Sequence, residues 1–134
     1  MKLSRKSEYT ILTLIDLSRR YERQEITSAT VISSQNNIPR KFLDQILNQL
    51  KQSGYIKSIR GSNGGYILQK SPREICIAEV IRLIDGPLAP ISSVSEYFYQ
   101  NTPSEQNEKL LAIFKDIRDY TAQKLETHTF ADLI

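Results

Sequence analysis

The stretch that most constrains the fold runs from Ile38 to Leu68, IPRKFLDQILNQLKQSGYIKSIRGSNGGYIL. Phe42, Leu43, Ile46, Leu47 and Leu50 recur at intervals of three and four, the spacing of one helical face. Pro39 suits a first helical position, where its missing N–H is no loss, and Gly54 suits a helix stop. Beyond it YIKSI and GYIL read as two short strands, rich in β-branched and aromatic residues. Gly61, Ser62, Asn63, Gly64 and Gly65 lie between them, so three of the chain's five glycines sit at the tip of a β-hairpin. A phosphate-cradling loop is the competing reading of such a cluster. The spacing is wrong for a dinucleotide fingerprint, no Gly-Lys-Ser/Thr follows, and the next element is a strand and not a helix.

Before this stretch, SEYTILTLIDLSRRY carries a broad helical stripe through Tyr9, Ile11, Leu12, Leu14, Ile15 and Leu17. Ser7 is its expected N-cap, and Glu8 suits the positive end of the helix. ITSATVISSQNN predicts a short helix from near Ser28, stopped at Asn36 and Asn37. After the hairpin and KSPRE, CIAEVIRLIDG predicts another helix, and GPLAPISSVSEYFYQNTP a proline-containing connection. SEQNEKLLAIFKDIRDYTAQKLETH predicts a long helix with Leu110, Ile113, Phe114, Ile117, Tyr120, Thr121 and Leu125 along one side, and TFADLI a closing helical turn. There is no internal repeat and no low-complexity segment.

Helix, short helix, longer helix, then a two-stranded hairpin is the order of a winged helix-turn-helix, whose third helix enters the DNA major groove. The expected fold class is mainly α with a small β-hairpin wing, a winged helix-turn-helix plus a long C-terminal dimerisation helix. Residues 1–73 are the expected DNA-binding domain. Residues 74–134 supply a connecting helix, an effector-type loop and the dimerisation helix, as one compact unit with the first. Arg40 and Lys41 stand at the start of the reading helix, where they can reach phosphates or guanine edges. Asp44 and Gln45, one turn later, match the chemistry used on cytosine and adenine. Arg60 can enter a narrow minor groove, and the tip glycines let backbone come close to the sugar-phosphate surface. A hairpin turn with no function beyond reversing the chain is the alternative for the tip.

Charge supports the functional reading. Residues 1–73 hold 13 Lys and Arg against 5 Asp and Glu, whereas residues 74–134 hold 5 against 10. A basic front half suits a polyanionic partner, and an acidic rear half argues against coating nucleic acid along the whole molecule. At 134 residues the chain is expected to form one domain. It has no apolar run near the roughly 18 residues of a membrane span. Its first residues carry no apolar stretch ahead of a cleavage site, and its single cysteine excludes an internal disulfide. These features predict a cytoplasmic protein without membrane association. No nucleophile–base pair or convergent carboxylates are legible, so catalysis is not expected.

MKLSRKSEYTILTLIDL, the Ile38–Leu68 stretch and EVIRLIDGPLAPI together resemble the bacterial winged-helix regulators typified by IscR, NsrR and CymR. The resemblance implies a homodimer crossed by the long C-terminal helix, binding a roughly palindromic operator in double-stranded DNA, usually as a repressor. It carries the family's reading positions onto Pro39, Arg40, Lys41, Asp44 and Gln45, and those of the wing onto Arg60 and Gly61, with Ser62 and Asn63 completing the tip. Family members carry small hydroxyl residues early in the reading helix, so Arg40 and Lys41 imply a different operator.

The cluster-binding members carry three closely spaced cysteines before the long helix. Here that segment, GPLAPISSVSEYFYQNTPSEQNEKL, has no cysteine and no histidine, so no iron–sulfur cluster, cofactor or metal is expected. Cys76 reads as a small buried residue, with redox sensing as the alternative; His128 reads as a helix-end residue, and Glu8 as a first-turn acid. Three sources of control stay open. Tyr97, Phe98 and Tyr99, with Pro87 and Pro90, can wall a small-molecule pocket; DGPLAPI resembles the CymR-like branch and suits a protein partner; or no effector acts. The aromatics can equally serve only to pack the loop. Leu110, Ile113, Phe114, Ile117, Tyr120 and Leu125 are the expected dimerisation residues, the alternative being a helix folded back to give a monomer. The competing function is a regulatory scaffold or dimerisation module acting through a partner protein, with DNA binding secondary or lost.

Overall fold

Local capping and tertiary contact together set where the chain's helices begin and end in the computed structural model, which describes residues 2–134. In chain order the elements are α1 (Arg5–Arg19), α2 (Ala29–Asn36), α3 (Arg40–Gln52), β1 (Ile56–Ile59), β2 (Gly65–Leu68), α4 (Ile77–Asp85) and α5 (Glu108–Glu126). Short 3-10 turns occupy Pro72–Glu74, Ser92–Val94, Pro103–Gln106 and Phe130–Leu133. Among the described residues no helix is long and apolar enough to cross a membrane.

α1 starts earlier than the Ser7 cap predicted. Ser4 is the N-cap, its Oγ accepting from the Ser7 N–H at 3.0 Å, and Ser7 is buried in the first turn. A distant partner explains the shift. The Ser4 N–H donates to Asp85 Oδ2 at 2.9 Å and its hydroxyl donates to the same carboxylate, tying the start of α1 to the end of α4. Burial alone would raise the Asp85 carboxyl, but these hydrogen bonds outweigh it and hold the group below its ordinary value.

α2 begins and ends where the sequence predicts. Ser28 caps it, and Asn37 stops it in the left-handed region at φ 52°. A buried polar network then bolts α2 to α1. Arg20 Nε donates to Asp16 Oδ1 at 3.0 Å, Asn36 Nδ2 donates to Asp16 Oδ2 at 2.9 Å, and Arg20 Nη1 donates to Glu25 at 2.6 Å. Both oxygens of Asp16 are thereby satisfied, which a buried carboxylate requires.

On α3, Leu43, Ile46, Leu47 and Leu50 are buried, as their spacing predicts, while Phe42 is half-buried against Tyr9. Pro39 takes the N-cap position itself, one residue outside the helix. The wing pairs β1 with β2 antiparallel, Ile56 opposite Leu68 and Ile59 opposite Gly65. Thr27 adds a third edge: it exchanges backbone hydrogen bonds with Tyr66 at 3.0 and 2.8 Å.

The principal core joins Leu14, Leu17, Ile32, Leu43, Ile46, Leu50, Ile56 and Leu68 to Ile75, Val80 and Phe130. The closing turn predicted for TFADLI exists, and it is also an anchor. Phe130 is 0% exposed, a burial contributing about 2 kcal/mol. Its N–H donates to Ile75 C=O at 3.0 Å and the Ile77 N–H donates to His128 C=O at 3.0 Å, so the last residues are pinned to the segment that enters α4.

Candidate nucleic-acid interface

Because α3 spends its apolar side on the core, its polar side faces outward. Pro39, Arg40, Lys41, Asp44 and Gln45 are all exposed. Asn48 is exposed too, seven residues after Lys41 and so on the same face; helical periodicity alone was sufficient to find it. Arg40 is held in place: its Nε donates to Asp44 Oδ1 and its Nη1 to Thr30 Oγ1, both at 3.1 Å. Lys41 Nζ lies 5.3 Å from the centre of the Phe42 ring.

At the wing tip Arg60, Gly61, Ser62 and Asn63 are exposed. The glycines divide by role. Gly61 sits at φ +124°, in backbone that L side chains avoid, with open space around it. Gly64 and Gly65 are required by the protein's own backbone. A Cβ on Gly65 would stand 2.4 Å from the Thr27 carbonyl oxygen, and one on Gly64 2.3 Å from that of Ile59. The close approach read from the cluster is therefore internal at these two positions, and Gly61 alone of the three opens outward.

The exposed start of α2 links reading helix and wing. Thr30 touches Arg40, while Ser28 and Val31 line a groove of about 360 Å³ together with Ser62, Asn63 and Gly64. Thr30 lay outside the sequence reading because nothing in its neighbourhood marks it; only the α2–α3 crossing brings it to Arg40. The assembled surface offers guanidinium, ammonium and amide donors on one face of α3, hydroxyls at the start of α2, and a small-residue tip beside them. That donor set meets phosphate oxygens and base edges.

The second candidate region is the loop between α4 and α5. Tyr97 is 64% exposed and stacks on the Arg82 guanidinium at 4.8 Å, and Tyr99 donates to Glu105. Arg82 also donates to Glu126 at 2.6 Å, and Arg118 to the Val94 carbonyl at 2.9 Å. Between Arg82, Leu88, Ser95, Phe98 and Arg118 the free space is about 10 Å³, room for one water. Among the described residues, the space that Tyr97 and Phe98 line is too small for a ligand.

α5 buries none of its residues fully. Leu110, Ile113, Ile117 and Tyr120 form one outward stripe, with Ile113 57% and Tyr120 71% exposed. Phe114 is half-buried, and Leu125 lies against Ala78, Ile81 and Leu88 of its own chain. Cys76 is half-buried, not enclosed, and its thiol donates to Leu125 C=O at 3.5 Å. His128 closes the end of α5 against Lys124 C=O at 2.7 Å, and Glu8 pairs with Arg5 at 3.2 Å in the first turn of α1.

Comparison with known proteins agrees with this geometry. Residues 3–134 match the family Rrf2, described as "Iron-dependent Transcriptional regulator". The HTH-type transcriptional regulator CymR of Bacillus subtilis is 31% identical over 133 residues, 99% of this chain and 89% of that one. The solved structure of that protein, the global cysteine regulator of B. subtilis, superposes with a TM-score of 0.79 at 30% identity, covering 99% and 95% of the two chains. T. potens IscR superposes with a TM-score of 0.71 at 26% identity, covering 99% and 85%. The relatives named here are transcriptional regulators, not enzymes.

The donor set of this chain does not fit the iron in the family description. Among the described residues no three His, Cys, Asp or Glu side chains converge on one point, and Cys76 is the sole thiol. The match across nearly the whole chain, the winged helix-turn-helix core and the similarity to CymR lead to one conclusion: this chain is a member of the Rrf2 family of transcriptional regulators.

Proposed function

We propose that this chain binds a roughly palindromic operator in duplex DNA as a homodimer and represses transcription in the cytoplasm, without an iron–sulfur cluster. One observation carries the reading. α3 buries Leu43, Ile46, Leu47 and Leu50 in the core and leaves Arg40, Lys41, Asp44 and Gln45 exposed, with Arg60 and the wing tip across the start of α2. Residues 1–73 then form the DNA-binding unit, and 74–134 the unit that pairs and regulates it. The exposed stripe of α5 supports pairing with a second copy, which sets two reading helices about one DNA turn apart. A pure scaffold has no use for guanidinium and ammonium groups on that face.

Control through the loop is a second reading. Tyr97 and Phe98 stand exposed over a space of about 10 Å³, which favours a protein surface or the second protomer over a small molecule as what covers them.

The test is selection of genomic fragments by the purified chain, followed by titration of the best fragment and a scrambled control against salt. Binding of a palindrome, steeply weakened by salt, with two chains per site, is the expected result. Equal affinity for the scrambled control would overturn sequence-specific repression.

A further inference from the structure

Arg40 stands at the first position of the reading helix, and its guanidinium has a partner on each of two helices. Asp44, one turn along α3, accepts from Nε, and Thr30, on a different helix, accepts from Nη1, both at 3.1 Å. A guanidinium has five N–H donors. Two are taken here, and among the described residues the other three, on Nη1 and Nη2, have no partner. The contacts do little for stability, because the Arg40 and Asp44 side chains are 53% and 59% exposed and such pairs are screened. What they do control is the direction of the fork. One partner sets it along α3 and the other sets it across the helix crossing.

We propose that Asp44 and Thr30 are positioning residues that present Arg40 to a single guanine in each half-site, Asp44 serving Arg40 and not reading a base of its own. The proposal rests on the DNA-binding reading above and deepens it. Guanine offers O6 and N7 as paired acceptors in the major groove, and a planar arginine fork is their matching donor. A phosphate presents oxygens on several sides and accepts a guanidinium from several directions, whereas a base edge presents its acceptors in one fixed plane, so it is the base contact that gains most from a set direction. Holding the fork before binding also reduces the rotamer freedom lost on contact.

The experiment uses the full chain and a random-sequence duplex library. Base preference is read position by position for wild type, Arg40→Ala, Asp44→Ala, Thr30→Val and Thr30→Ser, then checked by affinity for the selected duplex and for one changed at the guanine. Arg40→Ala should reduce discrimination at one position by about tenfold, the range of a bidentate base contact. Asp44→Ala and Thr30→Val should weaken preference at that same position by a smaller factor. Thr30→Ser, which keeps the hydroxyl, should restore it, and Asp44→Ala should add nothing in an Arg40→Ala background. All three sites are exposed, so the fold is retained. Relaxation at a different base pair in Asp44→Ala would make Asp44 a direct reader and overturn the proposal. So would wild-type discrimination in Thr30→Val, or uniform weakening on all sequences in Arg40→Ala, the signature of a phosphate contact. A wild-type chain that selects no sequence would overturn the DNA reading itself, and this role with it.

Discussion

Gly65→Ala is the sharpest single test of how the wing is built. The added Cβ would lie 2.4 Å from the Thr27 carbonyl oxygen, 2.5 Å from its carbonyl carbon and 2.7 Å from the Ser28 nitrogen. All three are backbone atoms, so no side chain can turn aside to make room. Either β2 or the segment ahead of α2 must move. Movement breaks the pair of backbone hydrogen bonds between Thr27 and Tyr66, at 3.0 and 2.8 Å. Overpacking of about 1–3 kcal/mol and the loss of two hydrogen bonds near 1 kcal/mol each, partly relieving one another, give a destabilisation of about 2–4 kcal/mol. With a urea slope of about 1.5–3 kcal/mol/M, a 3 kcal/mol loss lowers the unfolding midpoint by about 1–2 M. Hydrogen exchange at the Thr27 and Tyr66 amides locates the damage, since these should lose protection before the α3 amides do. A midpoint within about 0.3 M of wild type, with both amides still protected, would show that the close approach is not a rigid feature and refute the reasoning.

Three further tests probe the other supports. Arg20→Met should destabilise by about 3 kcal/mol in urea unfolding because it strands the buried Asp16 carboxylate, whereas Arg20→Met with Asp16→Leu should lose far less; equal losses would count against the unpaired-charge account. Ile113→Asp with Ile117→Asp should yield a helical monomer by light scattering, and a persistent dimer mass would move the pairing surface off this stripe. Asp85, whose carboxyl is held below its ordinary value, stabilises the fold above the unfolded value of about 3.9 and loses that contribution as pH falls through the lower folded value. Asp85→Asn should therefore be less stable at pH 7 and flatter in its acid limb; parallel stability-against-pH curves would exclude the Ser4–Asp85 link as its origin.

Much of the architecture was legible before any coordinates because it is written in short-range pattern. The three- and four-residue recurrence of Phe42, Leu43, Ile46, Leu47 and Leu50 states which side of α3 is buried, and hence which side is left exposed. Ser28 and Asn37 mark the ends of α2 through chemistry that acts within one turn. The wing announces itself through β-branched residues and glycines a few positions apart.

What escaped that reading depends on residues far apart in the chain. Ser4 displaces Ser7 as the cap of α1 because Asp85, 81 residues on, binds it. TFADLI reads as a closing turn, but nothing local marks Phe130 as the residue that anchors it at Ile75. On α5 the apolar side divides, Leu125 turning to its own chain and Leu110, Ile113, Ile117 and Tyr120 turning away from it, a division that periodicity cannot make within one apolar stripe. The hairpin glycines appear equivalent in sequence, and only the fold distinguishes them: Gly61 by its positive φ, Gly64 by the Ile59 carbonyl and Gly65 by the Thr27 backbone pressed against it. By itself the sequence determined the elements, their order and their buried faces, because hydrogen bonding and side-chain periodicity act over a few residues. Tertiary structure alone decided which faces meet, and so which arginine is held, which glycine is indispensable and which stripe remains open to a partner.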